Sequence, residues 1–260
     1  MSAPGRDSLV LLETRAGVAT LTLNRPRKRN ALSPGLVAEL SARLARAASD
    51  PEVRVVALSG AGPDFCAGAD LSAIAASQRE GPEAGLADAR RLGEVFVTVR
   101  RVDRPVVALV RGRALGGGCG LASACDIVLA HPDAIFGYPE VHLGFVPALV
   151  MAPLRRKVGE AAAFELVARG RRIGAAEAVS LGLATRVLPG DDFGAAADEY
   201  LRELAGLPAT AVALTKRLFH GLDGVSYEAA IARGAEVNAM ARQTGECRDG
   251  VKRFLDRKGD

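Results

Sequence analysis

Two short segments of this 260-residue chain carry the residue types most suited to chemistry. They are Phe65-Cys66-Ala67-Gly68-Ala69-Asp70-Leu71 and Ala114-Leu115-Gly116-Gly117-Gly118-Cys119-Gly120. Each follows a β-prone run and precedes a helix-compatible one. Small residues there let a ligand approach the backbone closely. The first amides of a helix have no partner within it and sit at the positive end of its dipole. Two such amides converging on one carbonyl oxygen would stabilise a negative charge that develops there. Tight strand-to-helix packing explains either turn alone equally well, because glycine punctuation is common. A third feature lies downstream, where Glu140 follows Pro139 among Phe136, Val141, Leu143 and Phe145. A carboxyl in such surroundings has its pKa raised toward neutrality and becomes a usable proton carrier.

Other chemistries lack their residues. Neither glycine run fits G-x-G-x-x-G, and no Gly-Lys-Ser/Thr follows, so dinucleotide and Walker-type phosphate loops are not supported. No G-x-S-x-G turn is present for a serine hydrolase. His131, His142 and His220 are scattered without metal-ligand spacing. Cys66, Cys119, Cys125 and Cys247 form neither a metal pattern nor a disulfide framework, and they read as buried or free thiols of a reducing cytoplasm. The formal charge is +4 with a pI near 9.1. With no basic run interleaved with aromatics, this suits a polyanionic small ligand better than nucleic acid. Arg6 and Asp7 interrupt any leader-like start, and no apolar run is long enough to span a membrane. The expectation is a cytoplasmic protein with no membrane or nucleic-acid partner.

The elements that must position these turns follow from periodicity. Leu9 to Glu13 and Val18 to Leu23 read as a hairpin around Arg15-Ala16-Gly17. Ser33-Pro34 caps a helix carrying Leu36, Leu40 and Leu44 at helical spacing. Val53 to Leu58, Pro105 to Val110 and Ile127 to Ala130 read as buried strands, with a short helix over Leu121 to Ala124. Ser77 to Arg91 lacks a clear apolar stripe and reads as a loop or surface helix. From Gly159 onward helices dominate: Glu160 to Ala168, Ala175 to Leu181, Phe193 to Ala205, Ala209 to His220 and Ser226 to Arg242. The expected organisation is an α/β region over 1–189, carrying the site, and a helical region over 190–260.

The two glycine turns join a longer series. Leu23-Asn24-Arg25-Pro26, Asn30-Ala31-Leu32, Ala124-Cys125-Asp126-Ile127, Phe136-Gly137-Tyr138-Pro139-Glu140, Leu143-Gly144, Gly170, Ala175-Ala176-Glu177-Ala178 and Leu181-Gly182-Leu183 accompany them in order. Together they resemble the enoyl-CoA hydratase/isomerase (crotonase-like) family over roughly residues 9 to 257. The resemblance implies an α/β, crotonase-like spiral of ββα units with a C-terminal helical region. It implies an acyl-CoA thioester as substrate, with CoA part of that substrate and no separate cofactor or metal. By the same resemblance the amides of Ala69 and Gly117 hold an enolate oxygen. Ala67, Gly68, Asp70, Leu71 and Gly116 contact the CoA thioester. Lys28 and Arg29 approach the CoA phosphates, as does Arg257 or Lys258 of a terminal helix, across a subunit interface of a homotrimer or dimer of trimers.

One departure bears on the reaction. Hydratases of that family carry a glutamate at the position of Gly120 and a second at Glu140. Hydration needs an activated water at the β carbon and a proton at the α carbon, whereas moving a double bond needs one base that lifts and returns a proton. Glu140 alone therefore suits isomerisation better than ordinary hydration. A catalytically weak CoA-thioester-binding protein is the alternative. Tyr138, His142 and Cys119 lie near enough in sequence to assist but read as structural residues, with Tyr138 sharing a face with Glu140 if the segment is extended.

Overall fold

The computed structural model describes residues 8–257; Lys258 and the chain start lie outside them. β1 (Val10–Arg15) and β2 (Val18–Leu23) form the antiparallel hairpin, turned by Ala16 and Gly17 at positive φ. α1 (Pro34–Ser49) follows, with the Ser33 side chain accepting from the Leu36 amide at 3.3 Å and Pro34 at its first position. Next come β3 (Val55–Gly60), α2 (Leu71–Glu80), α3 (Pro82–Arg101), β4 (Val106–Val110), β5 (Arg113–Leu115), α4 (Gly117–Ala124), β6 (Ile127–Ala130) and β7 (Ile135–Gly137). The chain continues through α5 (Met151–Lys157), α6 (Glu160–Arg169), β8 (Arg172–Gly174), α7 (Ala175–Ser180) and β9 (Arg186–Val187). It ends in α8 (Phe193–Ala205), α9 (Ala209–Gly221), α10 (Tyr227–Arg242) and α11 (Gly245–Asp256).

A six-stranded sheet runs β1-β2-β3-β4-β6-β9, parallel from β2 onward. A second sheet of three short strands runs β5-β7-β8. The apolar positions explain the layers. On one face, Leu21, Leu23, Val56, Leu58, Val106 and Ala108 meet Leu36, Leu40 and Leu44 of α1 and Val95 and Val99 of α3, all fully buried. On the other face, Val55, Ala57, Val107 and Leu129 meet Ala197 and Leu201 of α8. Strands buried on both faces read as continuous apolar runs rather than alternating ones, as here.

Besides the apolar contacts of α8, a buried ionic cluster ties α9 to the α/β region. Lys216 of α9 donates to Asp126 Oδ2 at 2.7 Å and to the carbonyls of Val99 and Arg104 at 2.9 and 2.8 Å. Asp126 also accepts from the Val106 amide, and its Oδ1 lies 2.7 Å from His220 Nε2. Burial pushes the Asp126 carboxyl up, but these hydrogen bonds and the Lys216 charge outweigh it and hold the group below its ordinary value. Among the described residues no helix is long and apolar enough to cross a membrane.

Two differences from the sequence reading, and one choice it left open between loop and surface helix, have physical causes. Ser77 to Arg91 is helical, split between α2 and α3; neither α2 nor the first half of α3 buries a side chain, which is why no apolar stripe marks it. The short strands β5, β7 and β8 make a sheet of three-residue segments, too short to show a period of two. Residues Pro139–Leu143 form a 3-10 turn rather than extended chain, so Tyr138 and Glu140 do not share a face. Tyr138 is fully buried and bonds Ser123 Oγ at 3.0 Å, while Glu140 turns toward a cavity.

Cys66, Cys119 and Cys125 are buried, and burial pushes each thiol up to about 12. Cys247 is partly exposed. At pH 8, iodoacetamide is expected to alkylate the native protein at Cys247 alone, because the thiolate is the nucleophile. Intact mass before and after unfolding checks this, and rapid native labelling of Cys119 would contradict it.

Candidate active site

Backbone register builds the site. β5 and β7 run parallel with Leu115 opposite Gly137, so the residues that follow each strand emerge side by side. The Gly116 amide donates to the Gly137 carbonyl at 2.8 Å, which fixes the start of α4 against the Pro139–Leu143 turn. A third segment joins on the other side of β5. Cys66 bridges Ala114, with Cys66 N–H donating to Arg113 and Leu115 N–H donating to Cys66, both at 2.9 Å. Residues 67–70 therefore leave beside the same point.

The backbone direction of Ala69 follows from its other neighbour. Leu32 donates to the Gly68 carbonyl at 2.8 Å and accepts from the Asp70 amide at 3.1 Å. In that bridge the amide of the intervening Ala69 points away from Leu32. Gly117 is the first residue of α4, where the amide has no partner within the helix. The two segments are close: the Ala69 nitrogen lies 3.9 Å from where a Cβ on Gly117 would stand. Glycine is required at two points here. Gly116 has φ 52°, and a Cβ on it would meet Glu140 Oε1 at 2.9 Å. Gly68 has φ 102°, and its Cβ would meet the Leu115 carbonyl at 2.9 Å.

Ala69, Gly117 and Glu140 all border one cavity of about 950 Å³. Its further walls come from α2, from the first half of α3 as far as Leu92, and from the loop running from Leu143 to Val150. Glu140 is half-buried; burial raises its pKa above the ordinary value, with its own backbone amide pulling the other way. Its Oε2 has no hydrogen-bond partner among the described residues. A carboxyl so placed is free to take a proton from, or give one to, a group in the cavity.

Of the residues singled out from sequence, Glu140, Ala69, Gly117, Gly116, Arg29, Ala67, Gly68, Asp70 and Leu71 border this cavity. Lys28 and Arg257 are exposed and do not border it. The Asp70 side chain is occupied within the chain. It accepts from the Ser72 amide at 3.0 Å to cap α2, and it pairs with Arg25 at 3.0 Å. Burial pushes the Asp70 carboxyl up, but the bonds from Arg25 and Ser72 more than offset this, and it lies below its usual value. His142 also borders the cavity, with Nε2 3.3 Å from the Gly170 carbonyl, whereas Cys119 is in the core.

Two positioning residues lay unassigned inside the sequence motifs. Asn30 is fully buried at φ 55°; its Oδ1 accepts from the Arg25 amide at 2.9 Å and its Nδ2 donates to the carbonyls of Ala61 and Asp64 at 3.0 and 2.8 Å. Arg25 bonds the Ala31 carbonyl at 2.6 Å as well as Asp70. They brace the segment that carries Ala69. The signal available in sequence was a polar residue flanked by Ala31-Leu32, where a buried side chain must find partners.

The fold is shared with known proteins. The enoyl-CoA hydratase from Mycobacterium smegmatis superposes with a TM-score of 0.91 at 33% identity, covering 96% of this chain and 97% of that one. A family model described as enoyl-CoA hydratase/isomerase matches residues 13–259. A Thermus thermophilus protein named provisionally as an enoyl-CoA hydratase is 39% identical over 241 residues, 93% of this chain and 95% of its own. The 2,3-dehydroadipyl-CoA hydratase of Escherichia coli is 33% identical over 256 residues, covering 96% and 97%. The chain belongs to the enoyl-CoA hydratase/isomerase family and has its crotonase fold. It is an enzyme of that lyase and isomerase type.

Proposed function

We propose that this enzyme binds an enoyl-CoA thioester, holds its carbonyl oxygen on the Ala69 and Gly117 amides, and moves a double bond with Glu140 as its proton carrier. The observation that supports this is the meeting of the Ala69 and Gly117 backbone segments and the half-buried Glu140 carboxyl at a single cavity. Removing a proton from the α carbon of a β,γ-enoyl thioester places negative charge on the carbonyl oxygen. Two amides aimed there stabilise that dienolate more than the neutral thioester, which is the requirement for lowering the barrier. Glu140 takes the α proton and returns it at the γ carbon.

CoA enters as part of the substrate, with no separate cofactor. Arg29 borders the cavity and is the basic residue we assign to the CoA phosphates, with Lys28 beside it in sequence. Arg257 ends α11 away from the cavity, so its contact with CoA would be made to a neighbouring subunit. The exposed apolar residues Ile231, Met240, Val251 and Leu255 of α10 and α11 suit burial in a homotrimer or dimer of trimers. The cytoplasm is the expected compartment.

Hydration is the second reading, because the relatives above are named hydratases. A weakly catalytic thioester-binding protein is the third. One preparation assayed with a β,γ-enoyl-CoA and an α,β-enoyl-CoA separates them. Faster conversion of the β,γ substrate is expected. Hydration as the main outcome would favour the second reading, and CoA binding without turnover of either would favour the third.

A further inference from the structure

One face of α4 is closed by hydrocarbon in a specific way. Gly116, Gly117 and Gly120 stand on one face of α4, three and four residues apart, and the Gly120 amide donates to the Gly116 carbonyl at 2.9 Å. Gly116 and Gly117 border the cavity, but Gly120 does not. Val150, 3% exposed, and Phe96, 6% exposed, stand over it. A Cβ on Gly120 would lie 2.4 Å from Val150 Cγ1, 3.0 Å from Val150 Cβ and 3.1 Å from Phe96 Cζ. The first distance lies far inside van der Waals contact, so position 120 tolerates no side chain while Val150 stays in place. Val150 is itself fixed, since it precedes α5 and its carbonyl accepts from the Leu154 amide at 3.1 Å. Its side chain borders the cavity beside Leu92 and Leu149.

We propose that Val150, seated on Gly120 with Phe96, sets the reaction specificity: it fills the place on α4 from which a second proton-transferring side chain would reach the acyl carbons, and so confines the site to one-base chemistry. This deepens the proposed function and rests on it. Adding water to an α,β double bond breaks a water O–H bond, forms a C–O bond at the β carbon and delivers a proton to the α carbon. That water must be held by an acceptor while Glu140 exchanges the proton, and Val150, Leu92 and Leu149 offer none. Double-bond migration breaks one C–H bond at the α carbon and forms one at the γ carbon. The electron pair shifts through the dienolate and a single proton travels on Glu140, with no water consumed.

The test compares Gly120→Glu, Val150→Gly and the double variant, assaying hydration of an α,β-enoyl-CoA and isomerisation of a β,γ-enoyl-CoA. Gly120→Glu alone is expected to melt lower than the wild type and gain no hydration. The double variant is expected to hydrate at least about tenfold faster than the wild type, below the ~10²–10⁴-fold that a well-positioned acid or base supplies. Equal gains in the single and double variants would overturn the role of Val150, as would a folded, CoA-binding double variant with no gain. A melting-temperature cycle of Gly120→Ala with Val150→Gly reads the packing without activity: the alanine should cost at most about half as much in the Val150→Gly background as in the wild type. An equal cost in both backgrounds overturns the proposal on structural grounds alone. A wild type that binds CoA and leaves both thioesters unchanged overturns the one-base reading, and this inference with it.

Discussion

Glu140→Gln is expected to slow β,γ to α,β conversion by about 10²–10⁴-fold, the range a positioned general base contributes. Gln keeps the shape and the polarity but cannot carry the proton. Thioester affinity should change little, because the remaining contacts of the cavity are untouched. The pH dependence gives an independent signature. Burial raises the Glu140 pKa above its ordinary value, so the ionised, proton-accepting form is populated later in a titration. In the wild type kcat/KM should rise with pH through an ionisation lying above the usual carboxyl range, and that limb should vanish in the variant. Stability should move the other way. The folded state holds this proton to higher pH than the unfolded chain does, so the contribution of Glu140 to stability falls as pH rises through that window. A neutral Gln lacks that cost, and the variant should melt no lower than the wild type at pH 7. A variant retaining a tenth or more of wild-type turnover would remove Glu140 from the mechanism.

How much of this could be read from the chain depended on whether local pattern or long-range packing decided each feature. α1 and α8 were legible because a cap with a following proline in one, and apolar spacing in both, act within a few residues. The buried parallel strands β3, β4 and β6 were legible as apolar runs bounded by breakers. β5, β7 and β8 were not, because three residues carry no periodicity and their pairing joins positions about 20 to 40 apart. The site divided in the same way. Ala69, Gly117 and Glu140 stood out as motif residues. The fit of Val150 over Gly120 was invisible, since nothing in either neighbourhood announces a contact across 30 positions. Asn30 and Lys216 illustrate a further limit: a buried polar residue looks like a surface residue until its partners are known. Tyr138 shows the converse, because a 3-10 turn after β7 rotated it into the core and left Glu140 facing the cavity.

The amide pair permits a test that leaves every functional side chain in place. Gly117 is the first residue of α4, the helical position where proline is best tolerated because its missing N–H would be unpaired within the helix. Gly116 before it has φ 52° and ψ −125°, outside the helical region that a following proline disfavours. Gly117→Pro therefore removes one donor while preserving the helix, and its ring carbon takes the place of the amide hydrogen. The added Cβ meets the side-chain ends of Leu32 at 3.2 Å and Leu92 at 3.6 Å, both able to rotate aside. Loss of one such donor is expected to lower turnover by about 10²–10³-fold. Gly117→Ala adds the same Cβ but keeps the N–H, so it isolates the steric part and should lose far less. If proline and alanine variants of equal thermal stability were slowed to the same extent, crowding by the new carbon would explain both losses. The Gly117 amide would then have no part in stabilising the enolate.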